Sequence, residues 1–112
     1  MLTASVILFM YAAISGVVMA ARILRGAKRW NLLALGHGVL AATALALALW
    51  VSRSTHATAI KYGVAVLILA ALGGLFLLSY HLRGKPHPAA VVVLHALLAV
   101  GGVGCLVFAL LN

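Results

Sequence analysis

Residues 24–41 read LRGAKRWNLLALGHGVLA, and residues 82–99 read LRGKPHPAAVVVLHALLA. Both stretches begin with Leu-Arg-Gly, and both carry a histidine thirteen residues later, at His37 and His95. The offset of 58 residues is the same for both features and requires no gap. Apolar identities arise easily by chance in a hydrophobic chain, whereas a shared Arg-Gly pair and a shared histidine do not. The repeat therefore predicts two copies of one helical hairpin, each contributing one buried histidine.

The composition indicates which solvent surrounds the protein. Of the 112 residues, 67% are hydrophobic and only 7% are charged. A soluble domain of this length could not bury so much apolar surface, so we expect lipid to cover it. The chain has eight Lys and Arg but no Asp or Glu. No carboxylate side chain is therefore present to act as a general base, to carry a coupled proton or to bind Mg²⁺ or Ca²⁺.

Four apolar stretches are long enough to cross a bilayer, which takes about 20 helical residues. We expect these spans at 2–21, 31–51, 60–80 and 88–111. Helices are expected because open strands would leave backbone groups unpaired in hydrocarbon. The sequence thus predicts an all-α membrane protein with four transmembrane helices, arranged as two repeated hairpins in a compact bundle. The single domain would cover residues 1–112, with hairpins at approximately 1–54 and 59–112.

The basic residues lie in the three short connections between the spans. Six of the eight fall in the first and third connections: Arg22, Arg25, Lys28, Arg29, Arg83 and Lys85. Because cytoplasmic loops of membrane proteins carry an excess of Lys and Arg, we expect loops 22–29 and 81–87 in the cytoplasm and both termini outside. We expect an integral protein of a bacterial inner membrane. This orientation accounts for the basic charge, and we expect no nucleic acid as a partner.

His37 and His95 lie about 10 Å below the expected cytoplasmic boundary, since each is about six or seven residues into its span at about 1.5 Å per residue. Ionisable residues at this depth are rare and indicate function. Gly36 and Gly38 flank His37 directly. The helix faces of the two histidines also carry small residues, namely Ala34, Ala41, Ala44, Ala99 and Gly102. Two flat faces, each with a central imidazole, would leave room for a planar ring.

This layout predicts one haem b, with His37 and His95 as its axial ligands. The porphyrin would supply the four nitrogen ligands that a two-histidine site lacks. Each imidazole would bind iron through one nitrogen and donate its other N–H to the carbonyl four residues earlier in its own helix. Arg25 and Arg83 are related by the repeat, and we expect them to face the haem propionates.

Two histidines placed one helix apart within repeated hairpins, with Gly36 and Gly38 beside the first, resemble the b-type membrane cytochromes, most nearly the four-helix core of the cytochrome b561 kind. The resemblance is architectural and covers all four helices. It implies an electron carrier or subunit rather than a stand-alone enzyme, because two axial histidines leave iron no open position. Typical members carry two haems and four histidine ligands, whereas this chain offers one pair. One haem near the cytoplasmic face is expected, with a quinol or a redox protein as its partner.

Two other functions fit the same residues. The first is a cofactor-free accessory subunit of a larger membrane complex, such as a respiratory complex, in which the histidines pack or form hydrogen bonds between helices. The second is a small transporter that uses the pair as a proton or metal relay. A zinc site is disfavoured because zinc takes about four ligands, or three and a water. The sequence leaves both a monomer and a homodimer open.

Overall fold

Four α-helices account for most of the chain in a computed structural model, which describes residues 1–28 and 31–112. They are α1 (Leu2–Leu24), α2 (Asn31–Arg53), α3 (Thr58–Leu82) and α4 (Ala89–Leu111). All four are long and apolar enough to cross a membrane, and the described residues contain no strand. The predicted four-helix, all-α fold is confirmed. Arg29, which we assigned to the first basic loop, and Trp30 lie outside the described residues.

The two Leu-Arg-Gly sequences end α1 and α3. Gly26 and Gly84 have φ angles of 72° and 67°, in the left-handed region that favours glycine. The Gly26 N–H donates to the Ile23 carbonyl at 3.0 Å, and the next N–H donates to the Arg22 carbonyl at 2.9 Å. Both bonds recur 58 residues later, so each loop satisfies the last carbonyls of its helix in the same way. α1 and α3 end at Leu24 and Leu82, a few residues beyond the ends that we predicted at residues 21 and 80.

The helices follow one another around the bundle. α1 packs most extensively against α2, and α3 against α4, while smaller contacts join α1 to α4 and α2 to α3. The bundle measures 42 × 23 × 20 Å, which is one helix long and two helices wide. Because α2 and α4 occupy diagonal positions, a side chain that points inward from one of them meets a side chain from the other at the bundle axis.

In each hairpin the two helices approach one another closely, at positions that are related by the repeat. In the first hairpin, the buried Ser5 hydroxyl donates to the Ala44 carbonyl at 2.8 Å. The corresponding residues of the second hairpin are Gly63 and Gly102, and a Cβ on Gly63 would lie 3.0 Å from the Gly102 carbonyl oxygen. Small residues are needed at these points because helix packing in lipid depends on close approach.

The packed core occupies the half of the bundle away from the Leu-Arg-Gly loops. Its buried side chains are Val6, Phe9, Ala44, Ala48, Ile60, Val64, Leu67 and Leu106. The other half lies between the level of Ala12 and Ala70 and the Leu-Arg-Gly loops. Among the described residues of this half, only the side chain of Val92 is buried. The inner faces of this second half, which we call the loop half, are only half-buried. The four helices are therefore packed less closely there than in the core.

The outward faces of the helices are apolar along their whole length. Val17, Leu32 and Leu97, for example, are 69%, 71% and 65% exposed. Large apolar side chains in water are costly, at roughly 25 cal/mol for each Å² left uncovered. A surface of this kind is compatible with a lipid bilayer and with an integral membrane protein.

Candidate functional site

Each hairpin orients its own histidine. The Nδ1 atom of His37 on α2 lies 2.8 Å from the Ala12 carbonyl oxygen on α1, and that of His95 on α4 lies 2.7 Å from the Ala70 carbonyl oxygen on α3. A carbonyl oxygen only accepts, so Nδ1 carries the proton and donates in both rings. In the neutral imidazole this leaves the Nε2 lone pair available as a metal ligand.

The predicted acceptor, a carbonyl in the histidine's own helix, is wrong. Each ring reaches across its hairpin to the neighbouring helix, at residues that are again 58 positions apart. The neighbouring helix can approach closely enough to offer a carbonyl because it carries a glycine beside the ring.

The two glycines beside the rings are Gly16 on α1 and Gly74 on α3. A Cβ built on Gly16 would lie 2.9 Å from Cε1 of His37, and one on Gly74 would lie 3.1 Å from Cε1 of His95. Carbon atoms in contact are normally about 3.5–4.0 Å apart, so a larger residue would displace either ring. We did not predict this role from the sequence. The signal was the identity of Gly16 and Gly74 at the repeat offset.

The two rings meet at the bundle axis. The centroids of His37 and His95 are 6.2 Å apart, and the ring planes make an angle of 78°. Both side chains are half-buried and lie where the packed core gives way to the loop half. Two imidazoles on opposite sides of one metal would have centroids about 6.4 Å apart, given metal–nitrogen bonds of about 2.0–2.1 Å. The separation also falls within the range of about 4.5–7 Å for a direct T-shaped contact between rings.

Ser15 distinguishes the surroundings of the two rings. Its hydroxyl donates to the Ala12 carbonyl at 2.8 Å and lies 3.3 Å from Nδ1 of His37. The repeat-related position holds Gly73, which has no hydroxyl to offer His95. No sequence signal pointed to Ser15, because a serine within an apolar helix commonly bonds its own backbone.

The other predicted site residues do not contact the rings. Gly36 and Gly38 are exposed, and a Cβ built on either would meet no described atom within 4 Å beyond its chain neighbours and the nearby backbone of its own helix. Arg25 is exposed at the C-terminal cap of α1. Arg83 is also exposed and lies 4.8 Å from the centre of the Tyr80 ring. A role for these four residues in binding a cofactor stays a prediction.

A polar cluster joins the start of α2 to the end of α3, at the end of the bundle that carries the first and third loops. The Nε2 N–H of His81 donates to Oδ1 of Asn31 at 2.7 Å. The ring of His87 lies 5.8 Å from that of His81, with an angle of 50° between them. Arg22 donates to the Lys28 carbonyl at 3.0 Å within the first loop. Both basic loops therefore lie at the same end of the molecule, nearest the half-open interior.

The histidine pair does not form a conventional protein metal site. Within residues 1–28 and 31–112, no group of three or more His, Cys, Asp or Glu side chains could hold a metal ion. A metal bound between His37 and His95 would need its remaining ligands from a cofactor, as the iron of a porphyrin has.

Comparisons with protein-family models, with curated proteins and with solved structures find no match for the chain. No relative therefore assigns a role to the histidine pair. The function has to be inferred from the chemistry of the residues themselves.

Proposed function

We propose that the protein is a membrane-integral b-type cytochrome, in which His37 and His95 hold one haem and the protein carries single electrons. The main support is the direction of the two histidine hydrogen bonds. Each Nδ1–H donates to a carbonyl within its own hairpin, so the Nε2 lone pair of each ring is left to bind a metal. A backbone hydrogen bond on the second nitrogen is the usual way in which proteins orient a metal-binding histidine.

The distance between the rings supports the same proposal. The centroid separation of 6.2 Å is close to the value of about 6.4 Å that two axial imidazoles on one iron would have. The angle of 78° between the ring planes would not prevent both imidazoles from binding one metal. The donor set also fits, because two imidazoles complete the coordination of an iron that already has four porphyrin nitrogens.

The loop half of the bundle supports the proposal through its packing and its charge. Small, half-buried residues lie one helical turn from the rings, Ala34 on the loop side and Ala41 and Ala99 on the core side. Arg25 and Arg83 lie at the open end of this half, in a chain with no carboxylate side chain. Propionates of a haem bound there would compete for these cations only with lipid phosphates and with partner proteins.

The residues of the chain would perform distinct tasks. A bound haem supplies a reversible one-electron couple between ferric and ferrous iron. His37 and His95 would hold the haem iron through their Nε2 atoms. The apolar core below them would keep water from that face of the site. Gly16 and Gly74 would admit the rings without strain.

We further propose that loops 22–28 and 81–87 face the cytoplasm of a bacterial inner membrane. Most of the basic residues lie in these loops, as the positive-inside rule requires. Electrons would then enter and leave at the cytoplasmic side, through a quinol or a redox protein. One site near one surface cannot carry electrons across the bilayer, so transfer across the membrane would need a further partner.

Absorption spectroscopy tests the proposal directly. The protein is purified in detergent from cells supplied with haem, and its visible spectrum is recorded in the oxidised and reduced states. We expect a Soret band that is lost in His37→Ala and in His95→Ala. The control is His56→Ala, since His56 is exposed beyond the opposite end of the helices. A colourless wild-type protein would reject the proposal.

The second candidate function is a cofactor-free accessory subunit of a larger membrane complex. The T-shaped arrangement of the rings favours it, because 6.2 Å and 78° also suit a direct contact between imidazoles. Here the histidines would fasten each hairpin through their bonds to Ala12 and Ala70. A colourless protein that purifies as part of a stable complex would favour this candidate.

A further inference from the structure

Almost every contact of the His37 ring has an equivalent contact of the His95 ring, at positions 58 residues later. His37 and His95 donate to equivalent carbonyls, and Gly16 and Gly74 flank equivalent ring atoms. The exception is Ser15, whose equivalent is Gly73. The pair is therefore symmetric in position but not in hydrogen bonding.

The difference between the two hydrogen-bond arrangements lies at one atom, the carbonyl oxygen of Ala12. In addition to the backbone N–H bond that the Ala12 and Ala70 carbonyls each accept within their own helix, the Ala12 oxygen accepts two side-chain bonds of 2.8 Å, one from the Ser15 hydroxyl and one from Nδ1–H of His37. The Ala70 oxygen accepts the bond from His95 at 2.7 Å, and Gly73 has no side chain that could add a second donor. A carbonyl shared between two donors is a weaker acceptor for each of them. The contact between Ser15 Oγ and Nδ1 is longer, at 3.3 Å, than an ordinary hydrogen bond of about 2.7–3.2 Å.

We infer that Ser15 is a positioning residue that makes His37 the weaker and His95 the stronger electron donor of the pair. A strong hydrogen bond from Nδ1–H increases the basicity of Nε2, and a weakened one decreases it. For the bound iron, which is part of the proposed function, a less basic ligand favours the reduced state. Ser15 would then raise the reduction potential of the site without touching the cofactor.

Exchanging the hydroxyl between the repeats tests this inference. Ser15→Ala removes the second donor at His37 and should lower the midpoint potential. Gly73→Ser adds one at His95 and should raise it. A Cβ at position 73 would lie 3.7 Å from Cβ and Nδ1 of His95, which is ordinary contact, so the serine fits. We expect a shift of about threefold in the redox equilibrium constant, or about 30 mV for one electron.

Matched variants separate the hydroxyl from the extra carbon. Gly73→Ala adds the carbon alone and should leave the potential unchanged, and combining Ser15→Ala with Gly73→Ser should return it towards the wild-type value. Shifts of the same sign in the two single variants, or no shift in either while haem is retained, would overturn the inference. Loss of haem from the wild-type protein would instead overturn the proposed function.

The cofactor-free protein gives a second readout that does not depend on haem. Proton NMR of ¹⁵N-labelled histidine detects each Nδ1–H, whose resonance moves downfield as its hydrogen bond strengthens. We expect the His95 resonance to lie downfield of the His37 resonance. In Ser15→Ala the His37 resonance should move towards that of His95. Equal resonances in the wild-type protein, or no movement in the variant, would show that Ser15 does not weaken the bond.

Discussion

Gly16→Ala should destabilise the protein, although alanine is the better helix former. The new Cβ would lie 2.9 Å from Cε1 and 3.3 Å from Nδ1 of His37. Normal carbon contacts are about 3.5–4.0 Å, so the ring would have to move by about 0.6 Å or more. The ring cannot move freely, because Nδ1 is held 2.8 Å from the Ala12 carbonyl oxygen on the same helix as Gly16.

The size of the effect follows from three contributions. Forcing an extra carbon into a packed site costs about 1–3 kcal/mol. Weakening the hydrogen bond to Ala12 costs about 0.5–1.5 kcal/mol. The gain in helix propensity offsets about 1 kcal/mol of this. The expected net loss in the free energy of unfolding is therefore about 2 kcal/mol. Gly74→Ala should show a smaller loss, because its Cβ would lie 3.1 Å from Cε1 of His95.

Reversible unfolding in detergent micelles, followed by circular dichroism, measures these differences. Gly38→Ala is the matched control, because its Cβ would meet no described atom within 4 Å beyond its chain neighbours and the nearby backbone of its own helix. It should be neutral or should stabilise the protein by up to about 1 kcal/mol. If Gly16→Ala is as stable as Gly38→Ala, the argument that glycine is required to admit the imidazole is refuted. The measurement needs no cofactor and so tests the site independently of its proposed occupant.

The remaining predictions concern the contacts that shape the two hairpins. Gly26→Ala and Gly84→Ala should each cost about 1–2 kcal/mol in the same unfolding assay, because an L-residue must adopt the left-handed conformation of the cap; unchanged stability in both would contradict the cap assignment. Ser5→Ala should cost about 1 kcal/mol through loss of the buried bond to α2, and a value near zero would mean that this bond does not hold the first hairpin together. Asn31→Ala removes an exposed partner of His81 and should cost less than about 1 kcal/mol; NMR should show larger motion of the His81 ring, and an unaltered ring would show that this link between the loops is dispensable.

The sequence contained enough information to predict the architecture. Four apolar runs of sufficient length admit few arrangements in a bilayer, and the 58-residue offset relates the two halves of the chain from sequence alone. The same offset predicted that His37 and His95 would share a depth. Their meeting at the axis follows from the order of the helices around the bundle. The apolar runs and the internal repeat were therefore sufficient to predict the four-helix architecture.

The details of the site could not be predicted in the same way. The acceptor of each Nδ1–H lies 25 residues away in sequence, on a helix whose rotation no local pattern specifies. Gly16 was visible as a repeat identity, but its role depends on a ring from another helix. Gly36 and Gly38 stood out as neighbours of His37 in sequence, yet a Cβ on either would point into open space beside its own helix. Adjacent positions on a helix point in different directions, so sequence proximity was a poor guide.

The confinement of each histidine's hydrogen bond to its own hairpin has a consequence for how such a protein could arise. A hairpin that already holds and orients one imidazole needs only a second copy of itself to oppose that ring with another. A symmetric pair of identical hairpins would thus present both rings before any fusion into one chain. After fusion the two copies could diverge, and a single hydroxyl present on one side only would be enough to give two equivalent ligands different chemical characters.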